Sequence, residues 1–287
     1  MQVGTVVELH RYPVKSMQGE RLAEVNVDHD GIRGDRAWAA RDEGRAAIEG
    51  ARKLPQLLDC TARFSQSLDA GAEAPVPEIE LPDGAILRVD APQAAVRLSE
   101  LTGRELTLWP RRPADDAEHY RRAPLDTDDI EAELRAIFAR LPDEPLPDLG
   151  KLPLETMTSS TIPGTYQDCS PLFLLTRTSL ASLEAAQPGS RFDARRFRPN
   201  FMIESVESSG FPENAWVGRR LRVGQAIVRV TLECPRCLMT TLAFADLPKD
   251  PKIMRALVKQ NAGNLGVYAS IEAAGSVAEG DGVELLD

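Results

Sequence analysis

Hydrophobic and polar positions alternate with period two along much of the first hundred residues. Residues 3–9 are β-branched and alternating, which predicts a first strand that Pro13 stops. The same pattern predicts short strands over 21–27, 37–40, 58–64, 78–81, 85–89 and 106–109. Asp83-Gly84 marks a hairpin turn, and 91–101 a short helix. One stretch changes period. Ile130, Leu134, Ile137, Phe138 and Leu141 recur at helical spacing, predicting an amphipathic helix with Asp126 or Thr127 as N-cap and Pro142 as its end. Its apolar stripe reads as a scaffold-facing surface rather than as part of a site. Farther on, strands are predicted over 172–176, 201–203, 216–224, 226–232, 267–271 and 280–286. Helices are predicted over 178–186, capped by Thr176 or Thr178, and over 252–260.

The pattern predicts a mainly β protein with a few helices, of the α+β class. Residues 1–110 read as an antiparallel β unit, 111–163 as a charged, proline-rich helical linker, and 164–287 as a second β domain. Composition changes this picture little. The chain has 287 residues, 43% of them apolar, enough for a proper core. The net charge of −10 argues against non-specific nucleic-acid binding and against anionic membrane surfaces. No apolar run approaches the roughly 18 residues of a membrane helix. Residues 1–5 lack the features of a secretory signal, and the four cysteines are too dispersed for a disulfide framework. The expected compartment is therefore a reducing cytoplasm.

Candidate chemistry centres on Cys234-Pro235-Arg236-Cys237, which follows the strand-like run 226–232. A guanidinium beside a thiol lowers its pKa and improves it as nucleophile and soft-metal ligand. Three readings compete. Structural zinc needs four ligands, yet Cys60 and Cys169 are isolated and the chain's three histidines, His10, His29 and His119, lie far away. A redox dithiol needs a helix after the motif, whereas Leu238-Met239-Thr240-Thr241 reads as strand-like. A single thiolate on a metal whose other ligands come from a cofactor fits better. Lys15-Ser16, Arg36, Ser170, Arg198 and Arg236 fall in loops or at strand ends. If those ends converge, an acidic protein carries one cationic pocket, suited to an anionic cofactor with a phosphate tail. Arg195, Arg196 and Arg198 form the densest basic cluster, which Glu204 and Glu207 could answer as a solvated loop.

Five segments together carry a resemblance. Tyr12-Pro13-Val14-Lys15-Ser16, Gly34-Asp35-Arg36-Ala37-Trp38, Asp168-Cys169-Ser170-Pro171, Phe197-Arg198-Pro199-Asn200 and Cys234-Pro235-Arg236-Cys237-Leu238-Met239-Thr240-Thr241 resemble, in order, the MOSC superfamily. The chain is similar to mitochondrial amidoxime-reducing components and to bacterial proteins that detoxify N-hydroxylated bases. Its second part also resembles the C-terminal region of molybdenum cofactor sulfurases. The resemblance implies an N-terminal β-barrel-like domain packed on a MOSC β-barrel domain. It implies a molybdenum–molybdopterin cofactor with Cys237 as metal ligand and catalytic centre. Lys15, Ser16, Arg36, Asp168, Ser170, Arg198, Asn200, Pro235 and Arg236 would hold the pterin and its phosphate. Cys234 would be a neighbour.

The implied reaction is reduction of N-hydroxylated or N-oxide small molecules. No cysteine follows Cys237 and the chain ends at Asp287, so electrons are expected from a separate ferredoxin, flavodoxin or cytochrome-type protein. Many relatives carry Thr where Cys169 stands. That leaves open a sulfur carrier or transferase acting through a cysteine persulfide, and also a non-catalytic cofactor carrier.

Overall fold

The computed structural model describes residues 1–66, 68 and 75–287. The β-branched runs pair into a closed barrel of seven strands: β1 (Gln2–Arg11), β2 (Leu172–Thr176), β3 (Phe201–Ser205), β4 (Arg220–Val223), β5 (Ala226–Pro235), β6 (Asn264–Ala273) and β7 (Gly282–Leu285). Around the barrel the order is β3-β2-β6-β5-β4-β7-β1, and β1 closes onto β3. Every pair is antiparallel except β2 with β3. A parallel pair cannot be joined by a tight turn. Here the helix α1 (Arg177–Ala186) begins the crossover, capped by the Thr176 hydroxyl, which accepts from the Ser179 N–H at 3.1 Å.

All five residues of β2 are buried. Leu172 and Leu174 join the barrel interior, while Phe173 and Leu175 face a second apolar cluster outside it. A strand covered on both faces reads as a continuous apolar run rather than an alternation. In β1, Val3, Val6 and Leu9 all belong to the barrel interior although they are three apart. Register shifts at Gln2/Gly4 and Val6/Glu8 account for this, because each inserts a residue and turns the strand. The helix α2 (Lys252–Asn261) covers the outside of the barrel with Ile253, Met254 and Leu257.

A separate core belongs to the first third of the chain. Strands Trp38–Asp42, Ala47–Ile48 and Leu106–Pro110 form one small sheet, and Thr61–Arg63, Glu78–Glu80 and Ile86–Arg88 another. Leu54, Leu57, Ile79, Leu98 and Leu106 pack between them. A third small sheet stitches the two parts together, because Glu24–Asp28 pairs with both Gly31–Ile32 and Gly275–Ala278.

The protein is mostly β with several helices, as the residue pattern predicts, and local boundaries differ. The predicted strand over 58–64 is a 3-10 turn, Pro55–Asp59, followed by a strand of only Thr61–Arg63. The amphipathic helix runs Ile130–Phe138, and its N-cap is Asp129, whose carboxylate accepts the Ala132 N–H at 3.0 Å. Asp126 instead pairs with Arg45 at 2.8 Å and with Lys53. Ala139 takes a left-handed conformation, φ 49°, and ends the helix before Leu141.

Candidate functional site

Chain turns at one end of the barrel converge on two adjoining cavities. The inner one, about 60 Å³, is lined by Lys15, Ser16, Arg36, Asp168, Ser170, Arg198, Asn200 and Arg236, with Phe173, Phe197, Met239 and Tyr268 completing the wall. Pro235 and Cys237 line the outer one, about 460 Å³. Lys15, Ser16, Asp168, Met239 and Tyr268 border both. The residues singled out from the sequence are thus brought to one place, divided between two compartments.

Sharp backbone turns aim the inner side chains. Ser16, Arg36 and Arg198 have φ of 70°, 47° and 60°, left-handed conformations that L-residues with a Cβ adopt at a cost of order 1–2 kcal/mol. Asp35, fully buried, fixes two of these turns. Its carboxylate accepts the Tyr12 N–H at 2.7 Å and the Asn200 Nδ2–H at 3.2 Å, and pairs with Arg36. Asn200 in turn joins two strands: its Oδ1 accepts the Phe173 N–H at 3.1 Å and its Nδ2 also donates to the His10 carbonyl at 3.3 Å. Gly31 has φ 106°, and a Cβ there would stand 2.6 Å from the Pro171 carbonyl. That close approach, with the Gln167 Nε2–H donating to Asp30 O at 3.0 Å, docks the 28–36 loop against 167–171.

The electrostatics are those of an anion site. Among the described residues, Lys15, Arg36, Arg198 and Arg236 meet only Asp35 and Asp168 as nearby counter-charges, leaving two positive charges over in a protein of net charge −10. Tyr12 supplies a ring face to two of them, with Arg198 at 4.2 Å and Arg36 at 5.1 Å from its centroid. Two guanidinium N–H groups, Arg198 Nη2 and Arg236 Nε, are buried with no partner among the described residues. An unpaired buried charged donor costs about 1–3 kcal/mol or more, so these positions favour an acceptor from a ligand. Burial and the neighbouring Arg36 pull the Arg198 guanidinium down to about 10. Burial raises the Asp168 carboxyl, but Lys15 and then Arg36 outweigh it and hold the group well below the usual carboxylate range. The Asp168 side chain is 73% exposed, so solvent screens that shift.

Residues 238–241 are not a strand but a 3-10 turn, with Cys237 at its N-terminal edge. The cause is local. Thr240 Oγ1 bonds back to the Cys237 carbonyl at 3.0 Å and Thr241 Oγ1 to the Leu238 carbonyl at 2.8 Å. The buried Arg196 clamps the following segment, donating to Thr240 O at 3.3 Å, Leu242 O at 2.8 Å and Pro248 O at 2.6 Å. The basic cluster is therefore not one solvated loop. Arg195 pairs with Asp193 and Asp246, Arg196 holds the turn after Cys237, and Arg198 enters the inner cavity. Neither Glu204 nor Glu207 answers any of the three.

The thiols are not equivalent. Cys234 is buried in the apolar cluster outside the barrel and accepts a hydrogen bond from Arg236 Nη1 at 2.9 Å. Burial pushes its thiol up despite Arg236, the reverse of the expected lowering. Burial also pushes Cys169 up to about 12. Cys237 is partly exposed and lines the outer cavity. Among the described residues, no group of three or more His, Cys, Asp or Glu side chains is placed to hold a metal by itself. A metal at Cys237 would bring its other ligands with it.

Sequence reasoning missed the outer wall. Ile130, Leu134, Ile137 and Phe138 of the amphipathic helix line the outer cavity together with Leu149, Leu152 and Met157. Helical periodicity says which face is apolar, not whether that face meets a core or a cavity. Arg122 and Tyr268 were missed as well, and Arg52 reads in the sequence only as the start of a basic loop over 52–57; each lies outside the five recognised segments.

The family model described as the MOSC N-terminal beta barrel domain matches residues 3–121, and the MOSC domain model matches residues 162–284. Mitochondrial amidoxime reducing component 2 of Bos taurus is 26% identical over 302 residues, covering 98% of this chain and 83% of the relative. Mitochondrial amidoxime-reducing component 1 of Homo sapiens is 26% identical over 250 residues, covering 84% and 67% respectively. Among solved structures, the YUAD protein from Bacillus subtilis aligns over 99% of this chain and 95% of its own, at 14% identity and a TM-score of 0.43.

Proposed function

Because the chain is a MOSC-domain protein with an N-terminal MOSC β-barrel domain, we propose that it is a molybdenum-cofactor-dependent reductase. Its substrates would be N-hydroxylated or N-oxide small molecules, and a separate redox protein would supply electrons. The observation that carries this reading is the pair of unpartnered buried guanidinium donors in a cationic cavity that adjoins an accessible cysteine. The names of the relatives, amidoxime-reducing components, support the direction of the reaction.

The residues fit such a cofactor. The inner cavity suits its anionic end, with Lys15, Arg36, Arg198 and Arg236 as donors and Ser16, Ser170 and Asn200 between them. At about 60 Å³ that cavity is small, so room for the rest exists only in the outer one, where Pro235 and Cys237 lie. When bound, the group supplies two-electron oxygen-atom chemistry at a soft metal held by the Cys237 thiolate. Cys169 and Cys234, both kept protonated by burial, are poorer candidates for that bond.

The chain's own share is positioning and charge. Asp168, held ionised, accepts from Lys15 Nζ and keeps the ammonium oriented at the border of the two cavities. The Tyr166 carbonyl accepts a second bond from the same Nζ at 3.1 Å. Burial keeps the Tyr268 phenol protonated, and its O–H is shared with the Cys234 thiol at the border of the two cavities. The apolar helix Ile130–Phe138 excludes water from the outer cavity and orients an apolar substrate body there.

Metal and pterin analysis of the chain purified from a cofactor-making host tests the reading. We expect near-stoichiometric molybdenum, and a loss of turnover of more than a hundredfold in Cys237→Ser. Folded protein without molybdenum would overturn it, and a stable persulfide on Cys237 without pterin would replace it with sulfur transfer.

A further inference from the structure

The charges around the outer cavity do not cancel. Of its cations, Lys15 is held by Asp168, Arg45 by Glu49 at 2.9 Å and Asp126 at 2.8 Å, and Lys53 by Asp126 and Glu133 at 3.8 Å. Two remain. Arg52 makes no hydrogen bond or ion pair with any described residue, yet it lines the cavity. Arg122 donates to the Thr156 carbonyl, and its Nε is buried without a partner. The two guanidiniums lie close enough that Arg52 depresses Arg122, which burial already lowers. Glu49 and Glu133 offset part of that repulsion at Arg122, Arg52 shares the field of Asp168, and a bound anion would offset the rest. The wall facing that cavity is apolar, formed by Ile130, Leu134, Ile137 and Met157.

We propose that Arg52 and Arg122 form an acid-binding subsite in the outer cavity, which selects small molecules with a carboxylate at the end of an apolar body. A planar guanidinium meets a carboxylate through two parallel N–H···O bonds, and the helix face covers the apolar remainder. The binding part stands on the cavity alone. The statement about substrates rests on the reductase reading and refines it: preferred N-oxygenated compounds are themselves acids.

Calorimetric titration of the full chain with 4-phenylbutanoate and with 4-phenylbutanamide, its near-isosteric amide, tests the subsite. The acid should bind about tenfold more tightly or better, with the advantage shrinking as salt rises. Arg52→Gln should remove that advantage. It is the decisive variant because Arg52 has no structural bond to lose, whereas Arg122→Gln also gives up Thr156. Equal affinity for acid and amide, or an advantage that survives Arg52→Gln, would overturn the proposal. So would a loss of bound pterin in Arg52→Gln with acid binding unchanged, which would assign the guanidinium to the cofactor. In turnover, an amidoxime bearing a ring carboxylate should show a lower KM than the unsubstituted one, and Arg52→Gln should abolish the difference. If neither amidoxime is reduced while the titration behaves as expected, the reductase reading fails and the acid subsite stands.

Discussion

The two cavities share a border but are built in opposite ways. The inner one is made of short motifs at strand ends, with left-handed turns, a buried Asp35 hub and cations packed on aromatic faces. The outer one is roofed by a helix from the connecting stretch, and its wall is mainly aliphatic. Rigid, over-determined charge suits a ligand that stays; an apolar surface on a connecting segment suits molecules that come and go. The comparison assigns the grip on the ligand's anionic end to the inner region and selection to the aliphatic wall of the outer one, and each can be tested separately.

The largest effect is expected from Asp35→Ala. It removes the acceptor of Tyr12 N–H and Asn200 and leaves Arg36 without its carboxylate, which should cost about 3–5 kcal/mol in urea unfolding. A cost below about 1 kcal/mol would break the picture of a rigid inner region. Next, Arg198→Met keeps the side chain's bulk and removes its charge. Retained pterin should fall about ten- to a hundredfold on gel filtration, and the lost Met17 carbonyl bond and Tyr12 ring contact should lower thermal stability by less than Asp35→Ala does. On the other side, Met157→Ala and Ile137→Ala should raise KM for apolar substrates by about tenfold or less and leave pterin content alone. Loss of pterin in these variants would merge the two regions into one.

The smallest effect is a pH dependence at the edge of the inner site. Burial, reinforced by the nearby Arg41 and Arg112 charges, lowers His119 below its ordinary 6.5, so the folded chain keeps it neutral. Its Nε2 bonds the Tyr166 hydroxyl at 2.8 Å, and Tyr166 carries the carbonyl that accepts from Lys15. As pH falls through 6.5 the unfolded chain gains a proton that the folded chain does not, so stability declines. His119→Gln should flatten urea midpoints between pH 7 and 5.

The inner region is legible in the sequence because its residues sit in contiguous pairs such as Lys15-Ser16 and Phe197-Arg198. Turn chemistry at strand ends is local, so the sequence displays it. The barrel strands were legible for a related reason: β-branched runs such as β5 specify themselves. Three things were hidden. The 3-10 turn after Cys237 depends on two threonine hydroxyls choosing backbone carbonyls over a strand, which composition does not reveal. Arg196 looks in sequence like its neighbours, and only tertiary burial separates it from Arg195 and Arg198. The helix over 130–138 was found, but its role was misjudged because periodicity reports an apolar face and not what faces it.

One feature of the barrel bears on how the chain reaches this shape. β1 pairs on one side with residues about 200 positions away and on the other with residues about 280 away, while the end of the second edge, Leu9–Arg11, meets the local strand Glu20–Leu22. Its two barrel partners lie far downstream in the chain, so closure of the ring is a late step. Loop-closure entropy over such separations slows folding, and unpaired edges of a β-branched strand invite association with other chains in the interval. Refolding should therefore be slow, and its yield should fall as protein concentration rises. The Asp35 hub, which bonds both the residue just after β1 and the one just before β3, belongs to the same final step that seals the barrel.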